Sequence, residues 1–166
     1  PARLIADTLS STVVTHFDER CGWSSVAVDV AVARALHGLP TGVRSLADAL
    51  DAAGAPDSVG QAVRLTHGVG LDALRLDEPQ AIGYTLKAMQ AALWALAQPG
   101  DFRSTLTAVV NAGGDTDTNG AVAGAALGAK LGLAGIPPEW HACVRDRSEE
   151  HTSELQSRFG ISYAVF

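Results

Sequence analysis

The chain has 166 residues, 47% of them hydrophobic and 18% charged, with a formal net charge of −6. That length and apolar content fit one domain with a buried core and exclude an intrinsically disordered chain. The acidic balance argues against nucleic acid as the main partner, and neither a long apolar run nor a basic amphipathic stretch points to a membrane.

Helical periodicity dominates, so the predicted fold class is all-α. Leu4, Ile5, Leu9 and Val13 share one face of a first helix. A second carries Val26, Val30, Ala33, Ala35 and Leu36, is entered near Ser24-Ser25 and stops at Gly38-Leu39-Pro40. A third is expected over 45–53 with Gly54 as its stop, and a fourth from Asp57-Ser58 fading at His67-Gly68. A fifth, with Pro79 near its start, covers 81–97 and ends at Pro99-Gly100. Asp101 is placed to cap a sixth, 102–111. A seventh covers 119–131, and Ile136-Pro137-Pro138-Glu139-Trp140 opens a last short one. The seventh carries Gly120, Gly124, Gly128 and Gly132 at four-residue spacing, a stripe that lets another helix pack close.

Between the sixth and seventh helices lies Gly113-Gly114-Asp115-Thr116-Asp117-Thr118. Carboxylate and hydroxyl oxygens are hard ligands, suited to magnesium or calcium. Two neighbouring acids repel unless a cation or a proton lies between them. Helix capping explains one of the aspartates but not two behind a glycine pair. Gly113 and Gly114 serve either as a turn or as room for close substrate approach. An EF-hand loop fits the first half, but its twelfth position is Ala126, which removes the bidentate acid. A haloacid-dehalogenase phosphatase would need Thr or Val at Asn119 and a parallel sheet.

The residues from Ala81 to Val144 resemble the C-terminal part of the ADP-ribosylglycohydrolase family, of the type that activates dinitrogenase reductase. The resemblance rests on Gly83-Tyr84, Ala91-Ala92-Leu93-Trp94, Asn111-Ala112-Gly113-Gly114-Asp115-Thr116-Asp117-Thr118 and Ile136-Pro137-Pro138-Glu139-Trp140. Thr15-His16-Phe17-Asp18 resembles the family's Thr-His-x-Asp helix entry. The resemblance implies an all-α domain holding two magnesium ions, with manganese able to stand in. It makes Asp115, Asp117 and Thr118 metal ligands and Asp115 and Asp117 the candidate catalytic residues. It implies cleavage of the glycosidic bond joining ADP-ribose to a protein or another conjugate. His16 and Tyr84 would border the ADP-ribose, with Gly113 and Gly114 against it. The alternative is a crystallin-like member that keeps the fold without the activity.

The family's Ser/Thr-Asp-Asp motif and its N-terminal Gly-Asp…Glu segment are not found upstream of His16. Together with a start at Pro1, this leads to the expectation of an incomplete domain, the C-terminal part of the family fold over residues 1–146. Weak magnesium binding and little hydrolysis are expected of the isolated chain. The polar run Arg147–Ser157 resembles a translated sequencing adapter, so 147–166 is expected to be non-native. That tail holds two arginines and three glutamates, and without it the net charge is −5. Cys21 and Cys143 are the only cysteines and form no metal or disulfide pattern, so a cytoplasmic setting is expected. Trp23, Trp94 and Trp140 are read as packing residues, and Asp18, Glu19 and Arg20 as a solvated turn. Neither the linkage cleaved nor the oligomeric state is legible in the sequence.

Overall fold

The computed structural model describes residues 2–143, so the expected 146/147 boundary and the 147–166 tail lie outside the described residues. Among the described residues the regular structure is entirely helical, as expected. It comprises α1 Ala2–Thr12, α2 Glu19–Leu36, α3 Val43–Ala52, α4 Asp57–Arg64, α5 Thr85–Ala97, α6 Phe102–Asn111, α7 Thr116–Leu131 and α8 Pro138–Ala142. Short 3-10 turns cover Leu71–Leu74, Pro79–Ala81 and Leu133–Gly135.

α5 is the spine. Every residue from Met89 to Leu96 is buried, because a helix that is apolar around its circumference must be covered on all sides. Leu86, Met89, Leu93 and Leu96 share a core with Val26 and Ala27 of α2, Leu46 and Leu50 of α3, and Val59 and Val63 of α4. On its other side, Ala91, Trp94 and Ala95 meet Phe102 and Val109 of α6 and Ala123 and Leu127 of α7. Each fully buried large side chain of this kind contributes roughly 1.5–3 kcal/mol. The polar exceptions are satisfied: Gln90 Nε2 donates to the Ala62 carbonyl at 3.0 Å and Trp94 Nε1 to that of Val69 at 3.2 Å. All three tryptophans pack as expected. Trp23 lies on the first core, Trp94 lies in the second, and Trp140 sits edge-on to Phe102 with ring centroids 6.2 Å apart.

Three helix starts differ from expectation. α2 begins at Glu19 rather than near Ser24, because the Asp18 carboxylate accepts from the Arg20 N–H at 2.9 Å and caps it. Ser24 and Ser25 lie inside the helix and donate back to the Cys21 carbonyl, each at 3.0 Å. Glu19 and Arg20 are therefore the first turn of α2, not a loop. α5 begins at Thr85 rather than Ala81, because Gly83 takes φ 75° and breaks the helical path. α7 begins at Thr116, with Asp115 accepting the first helical bond from the Asn119 N–H at 2.8 Å. The acidic residues thus belong to the first turn of α7.

Half of the glycine stripe works as a contact. A Cβ on Gly120 would lie 3.3 Å from Val110, and one on Gly124 would lie 3.6 Å from Leu106, so α6 closes on these two. Gly128 and Gly132 face nothing within 4 Å. Among the described residues no helix is long and apolar enough to cross a membrane.

Candidate active site

A cavity of about 380 Å³ opens where three parts of the chain converge. The α1–α2 junction brings Thr12, His16, Asp18, Arg20, Cys21 and Ser25 to it. The entry of α5 brings Gly83, Tyr84, Thr85 and Ala88. α7 brings Asp115, Thr118, Asn119 and Val122, whose spacing is that of a single helix face. Where α2 meets α5, the hydroxyls of Ser24 and Thr85 are 2.6 Å apart, which ties two of the walls together.

Asp115 occupies the N-cap position of α7, yet its side chain makes no capping hydrogen bond. Its carboxylate lines the cavity instead. It is also hydrogen-bonded to Asp117, and this is the main reason the Asp117 carboxyl lies below the usual carboxylate range. The Thr118 N–H, which donates to Asp117 Oδ1 at 2.9 Å, adds to that shift. The two carboxylates stand together at the start of α7, where a cation would offset their charge. Thr118 lines the cavity beside Asp115, whereas Asp117 is exposed and stands off the cavity face.

Of the candidate substrate-binding residues, His16 and Tyr84 both border the cavity and Gly113 and Gly114 do not. His16 is exposed, with Nδ1 2.8 Å from the Thr15 hydroxyl. Gly113 and Gly114 take φ 80° and 74° and pack against the Leu76–Asp77 segment. A Cβ on Gly114 would run into the Leu76 carbonyl oxygen, so the close approach there is by backbone. Gly83 lies inside the cavity with φ 75°, and a Cβ on it would make only ordinary contact with Asp115 Oδ2, at 3.7 Å.

Among the lining residues outside the sequence candidates, three polar ones shape the site. Arg20 and Asp18 are joined by a guanidinium–carboxylate pair at 2.9 and 2.5 Å. Arg20 also reaches the Tyr84 hydroxyl at 3.4 Å and lies over its ring, 5.6 Å from the centroid. The Arg20 contacts hold the Asp18 carboxyl down at about 2, and Asp18 in turn raises the Arg20 guanidinium. The third is Asn119, 1% exposed, whose Nδ2 has no hydrogen-bond acceptor among the described residues. Helical spacing from Asp115 is the signal that would have found it.

The oxygen donors Asp115, Asp117 and Thr118 suit a hard divalent cation such as magnesium. Among the described residues no three Asp, Glu, His or Cys side chains gather at one point. The described part of the chain thus offers fewer donors than an octahedral ion takes.

Fold and cavity define a class: an all-α domain with a cleft whose acidic, hydroxyl-bearing corner is built on a helix N-terminus. The chain belongs to the ADP-ribosylglycohydrolase family, whose model matches residues 1–163. It is 36% identical over 64 residues to an ADP-ribosylarginine hydrolase of Pseudomonas putida, covering 39% of this chain and 17% of that protein. It is 41% identical over 61 residues to the ADP-ribosyl-[dinitrogen reductase] glycohydrolase of Rhodospirillum rubrum, covering 37% of this chain and 21% of that protein. The matched segment spans about a fifth of the length of these curated relatives. No solved structure matches the chain.

Proposed function

We propose that this chain carries one side of the active site of a magnesium-dependent ADP-ribosyl hydrolase. The proposed substrate is an ADP-ribosylated protein, with ADP-ribosylarginine the first to test, given the names of the relatives. The observation that carries the proposal is Asp115: a cap-position carboxylate that does not cap, faces the cavity and pairs with Asp117.

In this reading Asp115, Asp117 and Thr118 hold the cation, and the donors still needed lie outside residues 2–143. When bound, magnesium supplies charge stabilisation at the ribose and lowers the pKa of a nearby water. The chain's own groups do the rest. A carboxylate oxygen not engaged with the cation accepts a proton from the attacking water. Tyr84 and His16 border the same cavity, and Arg20, paired with Asp18, lies over the Tyr84 ring. The bond from the anomeric carbon to the protein side chain breaks, water adds at that carbon, and the leaving atom takes up a proton.

The test is calorimetric magnesium titration alongside an assay for ADP-ribose released from an arginine-modified protein. This chain and a longer protein carrying the remaining ligands are both measured. Weak binding by this chain, strong binding and turnover by the longer one, and loss of both in Asp115→Asn/Asp117→Asn are expected. Turnover that survives the double substitution would overturn the assignment. A longer protein that binds no magnesium and releases nothing would mark a structural member of the family instead.

A further inference from the structure

Asn119 is 1% exposed, lines the cavity one helical turn beyond Asp115, and keeps a buried Nδ2 without an acceptor among the described residues. A buried amide donor left unpaired lowers the stability of the fold, and a leucine of similar shape would avoid that loss. Such a group persists where it has an acceptor in the working state. The charge around it restricts what that acceptor is. Asp115 and Asp117 occupy the same end of α7 and together offset the charge of the divalent cation proposed there, which leaves no surplus positive charge to draw a phosphate. Arg20 is the one arginine or lysine lining the cavity among the described residues, and it is engaged with Asp18 on α2. A neutral oxygen is the acceptor that suits this corner.

We infer that Asn119 is a ligand-binding residue, whose amide donates a hydrogen bond to a hydroxyl oxygen of the ribose ring held next to Asp115 and Thr118. The inference rests on the ADP-ribose reading above and adds a recognition contact to it. Asn119 discriminates ligands that carry this distal ribose from those that end at the diphosphate.

The experiment measures binding of ADP-ribose and of ADP, each with magnesium, to this chain and to its Asn119→Leu and Asn119→Asp variants. Nitrogen-resolved NMR reads affinity and the Asn119 amide protons together, and thermal melts of the free proteins accompany it. Three results are expected. The Asn119 side-chain amide signals shift on adding ADP-ribose but not ADP. Asn119→Leu weakens ADP-ribose binding about tenfold and leaves ADP binding unchanged, while the free protein melts no lower than the parent. Asn119→Asp, which keeps an acceptor oxygen but no donor, loses ADP-ribose affinity as the leucine variant does.

Equal affinity of parent and leucine variant for ADP-ribose would overturn the inference and leave the hydrolase reading standing. So would equal losses for both ligands, or a leucine variant that melts well below the parent, since either marks a structural amide. A parent chain that binds ADP-ribose no better than ADP would overturn the inference, while the hydrolase reading would still be decided by turnover of the longer protein.

Discussion

α6 and α7 both carry an aspartate at the N-cap position, and the two aspartates do different things. At α6, Asp101 accepts from the Ser104 N–H at 2.8 Å, and this bond holds its carboxyl below the ordinary range. At α7, Asp115 stands in the same position and makes no such bond. Its preceding residues explain the difference. Gly113 and Gly114 both take positive φ and wrap against Leu76–Asp77, and Asp115 follows with ψ 71° rather than the extended 170° of Asp101. The loop turns the carboxylate away from the helix and toward the cavity and Asp117. A carboxylate released from capping is free to bind a ligand, and the proposed function rests on that difference between the two helix starts.

The sharpest way to break this comparison is to neutralise each start in turn. If the proposed function holds, Asp115→Asn/Asp117→Asn should lower magnesium affinity and turnover of the longer protein about a hundredfold or more. Neither carboxylate caps the backbone of α7 as Asp101 caps α6, so the melting temperature should change less than it does on removing Asp101. Asp101→Ala should do the reverse, lowering the melting temperature by several degrees with magnesium affinity intact. Calorimetry and thermal melts on both variants decide, and a magnesium defect in Asp101→Ala would sink the distinction.

Next in size is Gly114→Ala. The left-handed backbone alone costs about 1–2 kcal/mol with a Cβ, and the collision with the Leu76 carbonyl adds to it. Urea unfolding should show a loss of roughly 2 kcal/mol or more. Magnesium affinity should fall as well, because the loop that aims Asp115 must move. Gly128→Ala, on the same helix as Asp115 but facing open space, should be neutral or slightly stabilising by the same measurement.

The smallest effect concerns pH. The Asp18 carboxyl is lowered from 3.8 to about 2 by Arg20. A depressed carboxyl stabilises the fold above its unfolded value and stops doing so as pH falls through its folded value. The contribution of the Asp18–Arg20 pair is therefore complete above about pH 4 and fades toward about pH 2. Carboxyl titration by NMR should place the Asp18 midpoint well below that of an exposed aspartate. Arg20→Gln should raise the midpoint part of the way, because the residue-20 backbone N–H still donates to Asp18, and an unchanged midpoint would show that the side-chain pair does not form in solution.

Much of this protein is legible in its amino-acid sequence. The span of α6 can be read to the residue, because Asp101 and the Asn111-Ala112-Gly113 exit are local signals acting within one turn. The starts of α2, α5 and α7 are harder. Ser24 and Ser25 look like caps but bond inside a helix already begun at Asp18, and Gly83 ends a path that composition alone would continue. The acids ahead of Asn119 look like a loop but form the opening turn of α7. At the site, Asp115, Thr118, His16 and Tyr84 are all marked by sequence and meet at one cavity. Gly113 and Gly114 suggest ligand approach and instead pack on backbone. Asn119 is signalled only by its helical spacing from Asp115, and nothing local distinguishes Arg20 from an ordinary helix residue.

The sequence by itself determined an all-helical chain, the order of its helices and the acidic cluster at the head of α7, since periodicity, caps and glycines act over a few residues. Only the tertiary structure decided which way the Asp115 carboxylate faces and that Asp18, Tyr84 and Asn119 share one cavity. Those facts depend on how α2, α5 and α7 cross, and crossing is set by the packing of two cores built from residues far apart in the chain.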